Sequence, residues 1–415
     1  MQTVPKYRTP LIAALVFCIL AISGSSQTPE TPAGEISRCW FYPLAETSLA
    51  ISAAADANQV YLAETGGKLE AVSRSGRKVW SADLGGAISS NALATGSSVV
   101  LVTTATGPDG AGKPDGNGKR EAVLRSISKE TGITQWTVRI AEADRHFLHA
   151  YNGWIAVVST NGIVSALDAN GGRTIWRREI ASGFIGKPAF SATKVAVATT
   201  SNQIFTISLL NGEIEGIQKI ALPASSLLWA TDGAVIAGDE RGNITSIKID
   251  AERPNWRFKS GGQVASLLHV GNDLVAFSYD NFIYSLDERN GDVNWKRRLS
   301  GRVSHAAKIG DHYIWVSALD DNGVIVIDSR NGKVVGQVSF GENEKLMSEP
   351  VIAEDTVVTV TNKGAYGYST AKCANGEEGN SGLKPAAMPS INNLSSKTVT
   401  NGKRRAAASW RRSHL

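Results

Sequence analysis

A tryptophan-anchored segment returns about every forty residues along most of this chain, and an array of that period constrains the fold before any local pattern is read. Copies end at Trp80, Trp136, Trp176, Trp256 and Trp295, and glycine stands in the same register at Gly216 and Gly336. From Trp80 the steps are 56, 40, 40, 40, 39 and 41 residues, the long one holding an insertion between Thr104 and Arg120. Each copy reads as a turn, an apolar strand, a second turn and a short strand closing on the anchor. Asn161-Gly162, Ile163 to Asp168, Asn170-Gly171-Gly172 and Arg173 to Trp176 make up the clearest example. Asn-Gly pairs supply the positive backbone angles of tight hairpins. A β-branched run lies upstream of each copy, such as Trp154 to Ser159 or Leu274 to Ser278. With the short run before it, every unit holds four antiparallel strands, the content of one propeller blade.

Stepping forty residues back from Trp80 reaches Trp40, and forty on from Gly336 reaches Gly376, where strands stop. The pattern predicts an all-β, eight-bladed β-propeller over residues 38–370. Its last blade takes an outer strand from the Trp40 segment and three strands from about Glu349 to Thr370. Pairing the two chain ends closes the ring and removes a bare sheet edge. A bridge between Cys39 and Cys373, one on the closing strand and one just past the last strand, would fasten that seam. Two unrelated free thiols are the alternative.

The first residues predict export. Lys6 and Arg8 precede an apolar run from Leu11 to Ile22, and small residues Ser23 to Ser26 follow. That is the layout of a secretory signal, expected over residues 1–26 and too short to span a bilayer comfortably. Phe17 before Cys18 departs from a lipoprotein signal, so lipidation is not expected. Periplasm or cell envelope follows as the location, with secretion as the alternative, and either setting favours the disulfide.

Charge argues against nucleic acid. The chain carries +5, but residues 371–415 alone carry +6 and Lys6 and Arg8 two more, leaving residues 9–370 at −3. The tail is rich in Ser, Asn, Gly and Ala and is predicted to be disordered. A solvated tail without a partner is the plainer expectation, with peripheral contact of its basic end with anionic lipid as the alternative.

The repeat resembles a known family here. Gly162 to Asp168 followed by Gly172 and Trp176 is similar to the tryptophan-docking repeats of pyrroloquinoline-quinone-type propellers. The likeness covers residues 38–370 and is specific for fold. It implies one of two branches, the quinoprotein dehydrogenases or cofactor-free propellers similar to the lipoprotein subunit of the outer-membrane β-barrel assembly machinery. Quinoprotein enzymes would need a quinone and calcium over the axis, a catalytic aspartate and often adjacent cysteines. No adjacent cysteines, haem-attachment motif or long inter-blade insertions occur in this sequence. The expectation is a non-catalytic protein-binding scaffold without cofactor, monomeric, with a protein partner in the cell envelope and a role in outer-membrane protein assembly. A quinoprotein-like oxidoreductase using pyrroloquinoline quinone and calcium is the alternative.

Other constellations are weak. His146 and His149 lie three apart on a strand, which points them to opposite faces and argues against a shared metal. In the insertion Gly107 to Gly118, Asp109, Asp115 and Asn117 begin a calcium-loop spacing that Lys119 and Ser126 break. No P-loop or nucleophile elbow is present. Aligning the copies places Ser48, Ser90, His146, Gly186, Ser225, Ala265, Ser304 and Ser348 in one column at the start of the innermost strands. The next column is variable, and its polar members Asn91, Lys187, His305 and Glu349 are the candidate partner contacts at the channel mouth.

Overall fold

The computed structural model describes residues 34–45, 50–104, 121–249, 251–271, 273–319, 321–369, 373 and 387–388. The expected signal, the insertion Gly107 to Gly118, Ser48 and most of the basic tail lie outside the described residues. Eight four-stranded antiparallel sheets form the ring of an eight-bladed β-propeller. Blades 1 to 7 take successive stretches of chain, their innermost strands beginning at Ala50, Leu93, His146, Phe184, Ala224, Val264 and Val303. Blade 8 is assembled from both ends. Its outermost strand is Ser37–Pro43, followed inward by Gly364–Ser369, Thr356–Val360 and Val351–Ala353.

Blade stacking explains the strand patterns. The two middle strands of a blade are covered on both faces, so they read as near-continuous apolar runs. Gln59–Glu64 is buried at five of its six residues, and Trp154–Ser159 follows the same pattern. Outer strands such as Lys78–Asp83 keep a period of two, because one face meets the next blade and the other meets water. Eight separate apolar clusters fill the interfaces. Between blades 1 and 2, for instance, Tyr61 and Leu69 pack with Val99, Leu101 and Ile127.

Six indoles join blade to blade in one way. Trp136 lies on the turn of blade 3 against Gly172, and its Nε1 donates to Ala169 O at 3.0 Å. A Cβ on Gly172 would stand 2.7 Å from Trp136 Cε3, and the residue's φ of +70° already disfavours a side chain. Trp80, Trp176, Trp256 and Trp295 repeat the donation to Lys129, Leu209, Glu288 and Ser329 carbonyls at 2.7, 3.1, 2.8 and 2.5 Å. Trp40 packs on Gly76 of blade 1 across the seam, but its Nε1 is buried without a partner.

The seam holds by other means. Cys39 and Cys373 form the expected disulfide, with Cα atoms 5.2 Å apart and a sequence separation of 334 residues. Tyr42 Oη of blade 8 donates to Glu70 Oε2 of blade 1 at 3.0 Å. From blade 1, Arg74 returns the contact to Asp355 at 2.6 Å and to Glu354. Gly34–Glu35 pairs with Ala387–Met388 on the other side of blade 8, beside the outer strand of blade 7.

Two outcomes follow for stability. Replacing Cys39 and Cys373 together by serine lowers the urea midpoint, at a cost of about 2–5 kcal/mol for so long a closed loop. Reducing the native protein does the same, and an unmoved midpoint in both would remove the disulfide from the seam's account. Gly172→Ala costs about 2 kcal/mol or more, from the positive φ and the indole together. Ala substituted for Gly171, which meets nothing within 4 Å, is the control and stays close to the native midpoint.

Candidate functional site at the axial mouth

The innermost strands do not begin as plain ladder. Register shifts fall between Ala224 and Ser226, Val264 and Ser266, and Val303 and His305, which leaves Ser225, Ala265 and Ser304 as bulge residues. The column of small side chains seen in the sequence is therefore a column of bulges in these blades. Small residues suit it because the local carbonyls need donors. Ser225 Oγ donates to Gly238 O and across to Val264 O at 3.1 and 2.6 Å, and Ser304 Oγ to Ser317 O at 3.0 Å. Bulges of this kind re-aim the residue that follows. In blade 4 the irregularity spans Ile185 to Ala189, Gly186 takes a φ of +68°, and Lys187 is turned out into the mouth.

Lys187 meets Glu349 there. Its Nζ donates to both carboxylate oxygens at 3.1 Å, from blade 4 to the start of blade 8, which stand opposite each other in an eight-membered ring. The pair crosses the axis. Lys187 and Glu349 side chains remain 67% and 56% exposed, so the contact contributes at most about 1 kcal/mol and is open to competition by other charges.

His305 lies within the electrostatic reach of Glu349. Burial lowers its pKa and the neighbouring carboxylate partly opposes that shift. Its Nδ1 is buried without a hydrogen-bond partner. Asn91 is engaged in the wall, accepting from Leu148 N at 2.9 Å and donating to Leu148 O at 3.2 Å, so it ties blade 2 to blade 3. Thus the structure brings Lys187, Glu349 and His305 toward one mouth, while Asn91 bridges two blades beside it. Opposite charges four blades apart in one column are the signal that would have disclosed the cross-axis pair.

His146 and His149, three apart on one strand, have separate surroundings as expected. His146 is fully buried and shares a hydrogen bond of 2.9 Å between its Nδ1 and Ser159 Oγ. His149 stacks on Phe190 at 4.3 Å. Ser90 and His146 form a parallel bridge, so the innermost strands of blades 2 and 3 touch directly at this level.

Comparison with known proteins agrees with this architecture. A family model described as outer membrane protein assembly factor BamB matches residues 119–229 and 217–386. The chain belongs to that family. A BamB of Shewanella oneidensis is 24% identical over 380 residues, covering 84% of this chain and 94% of its own length. One from Yersinia pestis is 20% identical over 244 residues, and the chain spans only 61% of that relative. Among solved structures, BamB from Moraxella catarrhalis superimposes with a TM-score of 0.62 at 14% identity, over 80% of this chain and 99% of that one. A computationally designed protein, Ika8, reaches 0.66 at 12% identity over 80% of this chain and 99% of its own, so the structural likeness carries the fold alone.

Among the described residues no three His, Cys, Asp or Glu side chains gather to hold a metal ion, and the carboxylate at the mouth, Glu349, is paired with Lys187.

Acid sensitivity follows from His146. Burial holds its pKa down at about 4 against an ordinary 6.5, so the unfolded chain binds its proton first as pH falls. The stability it supplies is complete above pH 6.5 and is lost between 6.5 and about 4, up to ~3 kcal/mol. Burial lowers His149 and His305 too, which gives them the same sign. Denaturant midpoints at pH 7 and pH 4.5 should fall further apart in the native protein than in His146→Gln. Equal drops would mean that His146 is not the group responsible.

Proposed function

We propose that this chain is an exported, non-catalytic propeller that binds a protein partner in the cell envelope and serves outer-membrane protein assembly. The observation that carries this reading is the family match, which runs through the propeller from residue 119 to residue 386. The relatives are named as assembly factors, and the compact blades leave the loops and the mouth as the surfaces a partner can reach.

The axial mouth is the contact. Lys187 and Glu349 supply exposed opposite charges that a partner can separate and re-pair, and His305 stands beside Glu349. Asn91 keeps the blade 2 rim in place. Charges of this sort set the rate and selectivity of docking more than its strength.

Capture of the exported protein from its native envelope at low salt, followed by mass spectrometry, tests both parts. The expected result is a stoichiometric membrane-protein partner, with retention reduced several-fold by Lys187→Ala and by Glu349→Ala. Full retention by both variants would move the contact away from the mouth. A quinone absorbance in a sample that brings down no partner would overturn the scaffold itself.

A further inference from the structure

The interface between blades 2 and 3 is not closed like the others. Toward the mouth face it opens into a cavity of about 900 Å³ with Val138, Ile140, Ile163 and Leu167 on its walls and Ser89 and Ser165 among its polar lining. Ser89 Oγ is buried there without a hydrogen-bond partner.

One column explains the opening. In each blade, the residue paired with the position after the anchor faces the preceding blade. It is Phe205 opposite Ile217, Tyr284 opposite Lys296, Ile325 opposite Gln337 and Tyr366 opposite Phe41. Each of these packs in the cluster that joins its blade to the one before. In blade 3 the same position is Ser165, opposite Arg177. Thr245 of blade 5 is small too, but Ile220, Trp229 and Ile249 pack against that interface. Blades 1 and 2 carry Glu70, opposite Ser81, and Arg125, opposite Thr137, so the cavity includes space that a larger side chain fills at this position in most of the other blades.

Its rim selects charge as well. Arg139 pairs with Glu121 at 2.7 Å and Arg177 with Glu179 at 3.1 Å. Glu142 and Asp144 line the same rim and have no cationic partner among the described residues. An occupant that fits both features carries a bulky apolar side chain next to positive charge.

This chain contains such a segment beyond the propeller. Trp410 is the one tryptophan outside residues 38–370, with Arg411 and Arg412 following it and Lys403, Arg404 and Arg405 before it. Ala387–Met388 is held by Gly34–Glu35 beside the outer strand of blade 7, Lys333–Ser339, and the 22 residues from Met388 to Trp410 can extend about 70 Å, enough to pass blades 8, 1 and 2. We propose that the basic tail docks on its own propeller, with Trp410 in the cavity between blades 2 and 3 and Arg411 and Arg412 against Glu142 and Asp144. The tail so placed covers this cavity, and the inference is independent of whatever binds at the axial mouth.

The test uses the full chain with p-benzoylphenylalanine in place of Trp410, irradiated at low concentration and mapped by peptide mass spectrometry. Crosslinks are expected within residues 138–144 and 163–167. Ser165→Phe, which places a ring where blades 4, 6 and 8 have one, should reduce them about tenfold. If Ser165→Phe does not fold, the pair Glu142→Lys and Asp144→Lys, on the exposed rim, should give the same loss. Crosslinks elsewhere on the propeller, crosslinks to a second molecule that vanish on dilution, or yields unchanged in the folded variants would overturn the proposal. So would crosslinks to lipid in vesicles containing phosphatidylglycerol when none to the cavity form in buffer alone.

Discussion

Six of the eight blade interfaces depend on one contact, an indole lying flat on the next blade's glycine turn. It combines apolar burial with a directed hydrogen bond, and its geometry fixes both the distance and the angle between neighbouring sheets. Position along the chain shows how closely ring and seat depend on each other. Anchor positions Gly216 and Gly336 lack the indole, and in both places the next blade lacks the seat. Blade 5 turns through Ala251-Glu252-Arg253-Pro254 without a glycine, and blade 8 has no such turn, because its outer strand arrives from the other end of the chain. An indole there would lack the glycine it lies on elsewhere. Ile249 packs against the blade 4–5 interface instead.

The seam is where this device works least well. Trp40 reaches Gly76, yet its Nε1 is left buried and unpaired, which costs about 1–3 kcal/mol relative to the other five joints. Blade 8 also lacks the covalent turn that elsewhere connects the third strand to the fourth. The disulfide stands in that place, joining Cys39 on the outer strand to Cys373 just beyond its neighbour. Tyr42–Glu70 and the Arg74 pairs then link blade 8 to blade 1 in the absence of the indole bond. The covalent part of the seam persists only where thiols oxidise, so closure of the ring is strongest in an oxidising compartment.

Much of this was legible in the sequence because a repeat states the same rule many times. The spacing of Trp80 through Trp295 gave the blades, and the arithmetic at Trp40 and Gly376 placed the closing strand and its cysteine. What stayed hidden depends on which faces meet after closure. Lys187 and Glu349 are 162 residues apart, and only an eight-membered ring sets them opposite each other. The bulges at Ser225 and Ser304 read as a preference for small side chains, because a sequence column does not disclose a register shift. Asn91 was a polar residue at a strand start, and nothing in its neighbours announced that its amide would span two blades.

In a repeat protein the information about function lies in departures from the repeat, because the repeat itself is consumed by the fold. The departures here gather on one face. Residues at the bulged starts of the innermost strands, the connection between blades 2 and 3, and the turns between second and third strands all lie toward the mouth. The opposite face carries the glycine seats and the disulfide, which hold the ring. A substitution on the seat face acts through stability and reaches the whole ring, as Gly172 and Trp136 illustrate. One at Lys187, Glu349 or Ser165 changes a side chain that no neighbouring blade requires for its own packing. That separation lets one face vary in what it binds while the other keeps the blades in register.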